Sequence, residues 1–339
     1  MKLFQLNTTA NWGSTGKIAE QISLAAMQRG WTSMIGYGRY DNPSKTPVIK
    51  TERQADVYLH YARHILLDGE GLGSKRATRQ LIRKIDEFQP DVVHIHNIHD
   101  HWLNYPLLFD YLGGIDAPIV WTLHDFWPFT GGCAYFDPYD CYKWKEGCHH
   151  CPERRMLLDR TSRNYMLRQR YFLPIVDRLT FVAVSKWIVD YARQSFLSEA
   201  RMEVIHNGID LNSFKPSAEK NEKPMLLGVA APWSKRKGLD DMLRIREMLP
   251  KEEYDMTLVG LSRKQLSSLP AGITGIERTS NVAELAELYS RASVLLNPTY
   301  SDNFPTVNLE AMACGTPIVT YRTGGSPEAV SPSTGRVVD

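Results

Sequence analysis

Short runs of Val, Ile, Leu and Phe alternate along the chain with stretches in which apolar residues recur every three or four positions. The first pattern is that of strands buried on both faces, and the second that of helices with one apolar stripe. In the first half the runs predict strands over 2–7, 32–37, 91–96, 118–124, 179–184 and 201–205. Helices are predicted over 17–28 and 75–88, the latter stopping before Pro90 because the residue ahead of a proline avoids helical backbone. The pattern then lapses over 211–224 (LNSFKPSAEKNEKP), which holds two prolines and few apolar residues. A second series follows, with strands over 225–230, 254–259, 272–276, 294–297 and 317–321 and helices over 239–248, 282–291 and 306–313. Such alternation predicts the α/β class, with two Rossmann-like domains each built on a parallel sheet. The predicted boundaries are 1–212 for the first domain, 213–224 for a linker and 225–339 for the second. Two such domains would face a cleft at the carboxyl ends of their strands, where open α/β sheets bind ligands. The second series breaks off at 335–339 on a beginning strand, so the second domain is expected to be incomplete at its C-terminus and marginal alone.

Composition narrows the classes. A chain of 339 residues with 43% hydrophobic and 23% charged residues has the balance of a globular protein, not of a disordered, fibrous or disulfide-scaffold chain. A net charge of +2 gives no electrostatic footprint for nucleic acid. Apolar runs such as 117–123 are too short to span a bilayer, and the opening MKLFQLN reads as a strand rather than a signal peptide. A cytoplasmic protein is the expectation.

The densest chemical signal is 301–317 (SDNFPTVNLEAMACGTP). A loop holding Asp302 runs into a predicted helix that carries Glu310. The N–H groups at a helix start suit a diphosphate, and a carboxylate a turn or two inside suits a vicinal diol such as ribose. The segment 323–328 (TGGSPE) adds a second tight turn with an acid. Earlier, 231–238 (APWSKRKG) places Lys235, Arg236 and Lys237 directly after a predicted strand, where three cations can neutralise the charge of a departing diphosphate. In the first domain, 11–17 (NWGSTGK) follows the first strand but fails as a phosphate-binding P-loop, because Asn11 and Ile18 replace the required glycine and hydroxyl. Gly13 and Gly16 are read either as a turn that lets backbone approach a ligand or as plain turn residues. Two predicted strands end on histidines, His94 and His96 in one and His124, followed by Asp125, in the other. His96 and His124 lie at the functional edge, with His96 reading equally as structural, whereas His94 fits a core histidine.

With these residues in place, the chain resembles the family-4 retaining glycosyltransferases of GT-B fold, whose signature is E-x7-E followed by an EAMACGTPIV…GGSPE stretch. It is most similar to the bacterial branch that builds exopolysaccharide and capsule. The first acid here is Asp302, one methylene shorter, and Ala231 stands where the family places an arginine. The resemblance implies a transferase that moves a sugar from a nucleoside-diphosphate sugar to a glycan or lipid-linked glycan acceptor, with no catalytic divalent metal. It makes His124, Asp302 and Lys237 the catalytic candidates. Donor contacts would come from Gly13, Gly16, Lys235, Arg236, Asn303, Phe304, Pro305, Thr306 and Glu310, with Glu310 on the ribose. A GT-B nucleotide-sugar epimerase or hydrolase, and a non-catalytic nucleotide-sugar-binding protein, are the alternatives. Segments 184–187 and 206–210 also match the family, and Ser185 reads as a helix cap.

Four of the five cysteines, Cys133, Cys141, Cys148 and Cys151, fall in a long loop over 125–153. Cys148-x2-Cys151 has the spacing of a zinc knuckle, and four thiolates make a structural zinc set. A disulfide or free thiols remain open. The loop's Trp, Phe and Tyr content suggests an acceptor-binding wall. Behind it, Arg154, Arg155, Arg160, Arg163, Arg168 and Arg170 alternate with apolar residues, which fits either peripheral contact with the inner face of a membrane or an ordinary solvated helix face.

Overall fold

The computed structural model describes residues 1–51, 54–153 and 157–339. They form two compact units, Met1–Ile205 and His206–Asp339.

The first unit runs β1 (Lys2–Asn7), α1 (Gly13–Gln28), β2 (Thr32–Tyr37), β3 (Val48–Lys50), α2 (Gln54–Leu67), α3 (Lys75–Phe88), β4 (Val92–Ile95), α4 (Tyr105–Leu112), β5 (Ile119–Leu123), α5 (Thr161–Phe172), β6 (Leu179–Ala183), α6 (Lys186–Ala192) and β7 (Arg201–Val204). Among the described residues the strands make one parallel sheet in the order β3-β2-β1-β4-β5-β6-β7. The central strands bury Phe4, Leu6, Val93, Ile95 and Trp121 almost completely, as a sheet covered on both faces must. Helix α3 shows how a stripe becomes a contact. Ala77, Leu81 and Ile85 recur every four residues and are buried, and Gln89 ends the helix in left-handed backbone just before Pro90. Winding reverses between β1 and β4, so the loops that follow these strands diverge and leave a crevice at their carboxyl ends.

The long loop over 125–153 contains only three single 3-10 turns as regular structure among its described residues. Most of its aromatic residues turn inward, while Tyr139 and Tyr142 stay exposed. Phe126, Phe129, Phe136 and Trp144 are at most 1% exposed and stack among themselves and against Trp187 and Tyr191 at ring-centroid distances of 4.5–5.9 Å. Large rings without a sheet to cover bury themselves in a small core of their own.

The second unit runs β8 (Met225–Val229), α7 (Leu239–Met248), β9 (Asp255–Val259), α8 (Arg263–Leu266), β10 (Ile273–Ile276), α9 (Val282–Arg291), β11 (Val294–Asn297), α10 (Thr306–Ala313), β12 (Ile318–Tyr321) and β13 (Gly335–Val338). Its parallel order is β10-β9-β8-β11-β12-β13, with the reversal between β8 and β11. One face buries Leu227, Tyr289, Leu295 and Ile318, and the other Trp233, Met242, Met256 and Leu258.

The unit boundary at Ile205/His206 falls earlier than the linker expected over 213–224. That segment is polar because it wraps the second unit. Phe214 enters its core, Ser217 N–H donates to Ser290 Oγ at 3.1 Å, and Lys220 Nζ donates to Thr316 Oγ1 at 2.6 Å and to the Ala292 carbonyl at 2.7 Å.

Candidate functional site

The reversal in the second sheet explains why residues far apart in sequence meet. The loop after β8 carries Lys235, Arg236 and Lys237 on a 3-10 turn, and the loop after β11 carries Asp302 to Pro305. Flanking strands at a switch point deliver both loops to one edge. The first loop is closed by Gly238 at φ +74°, where an added Cβ would lie 2.0 Å from the Pro298 carbonyl oxygen, so only glycine fits. Tyr300 N–H donates to the Arg236 carbonyl at 2.8 Å, and the Arg236 guanidinium donates to the Ser301 carbonyl. Lys237 forms an ion pair with Asp302. A third loop, after β12, brings Gly324 so close that a Cβ would lie 2.1 Å from the Asp302 carbonyl oxygen, and Gly325 N–H donates to that oxygen at 2.9 Å. Three loops are thus locked around Asp302.

Behind this knot α10 begins at Thr306, after Pro305 in extended backbone. Asn308, fully buried, accepts from Asn297 Nδ2 at 2.8 Å and donates to Ser326 Oγ at 3.0 Å, which fixes the helix against β11 and the turn after β12. Glu310 sits one turn in and accepts from Tyr289 Oη at 2.9 Å. Phe304 stacks on His206, with ring centroids 4.4 Å apart and planes 9° from parallel. Asn207 Nδ2 donates to the Phe304 carbonyl at 3.2 Å, and His206 Nε2 meets Glu328 at 3.1 Å. The structure therefore gathers Lys235, Arg236, Lys237 and Asp302 to Thr306 at one sheet edge, with Glu310 just inside.

In the first unit both glycines lie in the first turn of α1, directly after the loop that follows β1. Gly13 is exposed at φ +64° with nothing within 4 Å of an added Cβ. Gly16 is buried, and a Cβ there would lie 2.7 Å from Thr9 Oγ1 and 3.3 Å from Asn11 N. Its absent side chain lets α1 approach the loop, which is a packing role. Ser185 caps α6 by accepting from Ile188 N–H at 3.3 Å, as expected.

The histidines form a wired row across β1, β4 and β5. Gln5 Nε2 donates to the Ala19 carbonyl at 2.8 Å and to Ser23 Oγ at 2.6 Å. A carbonyl only accepts, so this contact fixes the amide with Oε1 facing His96 Nε2 at 2.8 Å. His96 therefore carries its proton on Nε2. Its Nδ1 accepts, and the 3.0 Å contact to His124 Nε2 is a bond that His124 donates. Burial keeps the row neutral: it pushes His94 down to about 3 and His124 down to about 4, and holds His96 well below the usual imidazole range. Beside the row is a histidine of the opposite kind. Burial opposes charge on His99, but Asp125 and Asp100 outweigh it and hold its pKa well above the usual value, with Asp125 Oδ2 2.9 Å from Nε2. Asp125 pairs with His99 and accepts from Trp127 N–H, and its charge also acts on His124. Neither Gln5 nor His99 stands out in the sequence. Their signal is position, a buried polar residue on a central strand and a histidine just past the carboxyl end of β4.

The neutral row makes the first unit acid-sensitive. Unfolded, His94, His96 and His124 take up protons near pH 6.5, whereas folded His124 does so only near pH 4, His94 near pH 3, and His96 well below its usual range. Between those values the unfolded chain binds more protons, so their stabilisation is complete above about pH 6.5 and is lost as pH falls toward 4. His99 acts in reverse, adding stability below about pH 6.5 that fades as pH rises through its raised pKa. The expected result is a Tm that falls between about pH 7.5 and 5, with a shallower fall in His94→Gln, which replaces the imidazole 2.8 Å from Thr122 Oγ1 by a polar amide that does not titrate. An unchanged slope in that variant would refute the assignment.

The four loop cysteines line one cavity with Trp144 and Thr161, and burial pushes Cys148 up to about 11. Of the basic segment behind them, Arg154, Arg155 and Met156 lie outside the described residues. Arg168 is not on a solvated face, because it is buried with its guanidinium 4.1 Å above the Trp127 ring. Arg163, Arg170 and Met166 are exposed.

A sequence profile described as Glycosyltransferase Family 4 matches residues 16–213, and one described as Glycosyl transferases group 1 matches residues 223–339. A protein of Escherichia coli (strain K12) assigned to colanic acid biosynthesis as the glycosyl transferase WcaC is 25% identical over 364 residues, covering 100% of this chain and 87% of that protein. Among solved structures, sucrose-phosphate synthase from Thermosynechococcus elongatus matches with a TM-score of 0.73 at 17% identity, over 99% of this chain and 85% of that one. HepE of Anabaena in complex with UDP-glucose matches with a TM-score of 0.63 at 15% identity, over 100% and 85%. At these identities the structural matches speak for the fold.

Proposed function

The chain belongs to glycosyltransferase family 4, and from that premise we propose that it moves a sugar, with retention of anomeric configuration, from a nucleoside-diphosphate sugar to a glycan or lipid-linked glycan in bacterial surface polysaccharide synthesis. The observation that carries this reading is the knot at the second sheet's switch point, where Lys237, Asp302 and the start of α10 meet with Glu310 one turn behind. Cations and helix N–H groups aimed at one spot are what a departing diphosphate needs, because its charge grows as the glycosidic bond breaks. Lys237, with Lys235 or Arg236, would take that charge. Glu310 would accept from the ribose hydroxyls, and Asn303 to Thr306 would offer backbone N–H groups to the phosphate or sugar. Asp302 would contact sugar hydroxyls once the donor draws Lys237 away. Gly13 marks the place in the first unit where backbone can approach the donor, and Gly16 supports that turn. His124, neutral and fixed in orientation, would hydrogen-bond the transferred sugar. No side chain is cast as a covalent nucleophile, so the leaving phosphate would accept the acceptor's proton on the same face, and no divalent metal takes part. The UDP-glucose complex of HepE and the biosynthetic role of WcaC favour such a donor and such a product.

No helix among the described residues is long and apolar enough to cross a membrane. We place the protein in the cytoplasm, where nucleotide sugars are made. Exposed Met166, on the face of α5 that carries Arg163 and Arg170, would suit contact with anionic lipid at the inner face.

The test is a thermal-shift panel of UDP-, GDP- and ADP-sugars, followed by turnover with the donor that binds and an NMR reading of the product anomer. One donor class is expected to raise Tm, and the product to keep the donor's anomeric configuration. An inverted product removes retention, free epimerised sugar makes the chain an epimerase, and binding without turnover on any acceptor makes it a binding protein.

A further inference from the structure

We infer that Cys133, Cys141, Cys148 and Cys151 bind one zinc ion as four thiolates, tying the 125–153 loop to the start of α5. The four residues come from three separate stretches of the loop, yet all line the same cavity of about 20 Å³, room for one atom-sized occupant. Gly131 N–H donates to Cys148 Sγ at 3.0 Å, the kind of backbone donor that steadies a metal-bound thiolate. That contact requires glycine: a Cβ on Gly131 would lie 2.7 Å from Cys148 Cβ and 2.8 Å from the Thr161 carbonyl oxygen. On the other side, Cys151 N–H donates to Asp159 Oδ2 at 2.9 Å, and Asp159 Oδ1 accepts from Thr161 N–H at 2.9 Å and Oγ1 at 2.6 Å. The knuckle is therefore anchored to the first residue of α5.

Charge agrees with this assignment. Zinc with four thiolates carries two net negative charges, and two cations, Lys143 and Arg168, act at the site, against one carboxylate, Glu153, that acts on Cys133. Lys143 lines the cavity and donates to the His149 and His150 carbonyls at 3.2 and 2.9 Å, and the Arg168 charge reaches Cys148. Four soft sulfur donors select zinc over magnesium, calcium or manganese. The other gathering of ligand-type side chains among the described residues, Glu70, His99 and Asp100 within 4.8 Å of one another, is an ion-pair cluster, since both His99 nitrogens already face carboxylates. The thiols stand wider apart than that group, and zinc would draw them to about 2.3 Å from a common centre. The loop's aromatic core lies beside this point, so the ion would clamp the base of a segment that no strand or α-helix holds.

The inference does not depend on sugar transfer, and its test is separate. Full-length protein purified under reducing conditions without added metal is expected to hold about one zinc per chain by elemental analysis. The Cys148→Ser/Cys151→Ser variant should hold at least about fivefold less, while Cys314→Ser, in the second unit's core, should hold as much as wild type. Should the double variant not fold, cobalt-loaded wild type decides the matter, with strong thiolate charge-transfer and tetrahedral d–d bands expected. Less than about a tenth of a zinc per chain, together with thiols that alkylate rapidly in the folded protein or a mass two units low per disulfide, would overturn the assignment. Weak, octahedral-type cobalt bands would do the same.

Discussion

Lys237→Ala is expected to lower kcat by about 10²–10³-fold, a loss typical of removing one preorganised electrostatic group from a site where charge develops. Donor affinity should change far less, because the ammonium is worth most when the diphosphate carries its full departing charge. The ion pair with Asp302 sharpens the test. Both side chains are mostly buried, so removing the lysine leaves a carboxylate without its counter-ion and costs stability as well as rate. Lys237→Ala/Asp302→Asn relieves that burden, and is expected to recover Tm without recovering kcat. A single variant that turns over at the wild-type rate, measured as nucleotide release under donor saturation, would remove Lys237 from the chemistry.

Glu310→Ala is expected to be the second-largest effect, and to fall on the donor rather than on the chemical step. A carboxylate that accepts from two ribose hydroxyls contributes about 1.5–3 kcal/mol per bond, so the donor KM should rise by about 10²-fold or more. The Tyr289 hydroxyl complicates alanine, since Tyr289 is fully buried and donates to Glu310. An orphaned hydroxyl there costs about 1–3 kcal/mol of stability. Glu310→Gln keeps an acceptor for Tyr289 and loses only charge, so it should keep Tm and still raise KM. Tyr289→Phe should lower Tm more than it alters KM. If Glu310→Gln binds and turns over donor as wild type does, the ribose assignment fails.

Much of the fold is legible in the chain because its helices and strands follow one burial rule. The limits of α3, α7, α9, α10 and β11 are those the apolar pattern predicts. The pattern fails where burial is local. Helix α4 is set by the side-chain cap of Asn104 and the proline behind it rather than by a long stripe, and the 125–153 loop folds around its own rings. In the segment read as a linker, the pattern does not reveal that Phe214 is a single apolar anchor among polar neighbours. At the second sheet's edge the candidate residues are legible, since motif and topology point to the same loops. That Lys237 and Asp302 hold each other is not, because that contact depends on the reversal between β8 and β11. In the first unit the histidines are visible, but their protonation is not. It depends on Gln5, which is 91 residues from His96 in sequence.

That dependence has a practical side for anyone recombining such enzymes. Exchanging the β5 loop alone would carry His124 across while leaving behind the amide that determines which of its nitrogens holds hydrogen. A chimera that keeps this protonation must inherit β1, the Ala19 turn of α1 and the end of β4 together with the loop. The transplantable module is a discontinuous patch threaded through half the sheet.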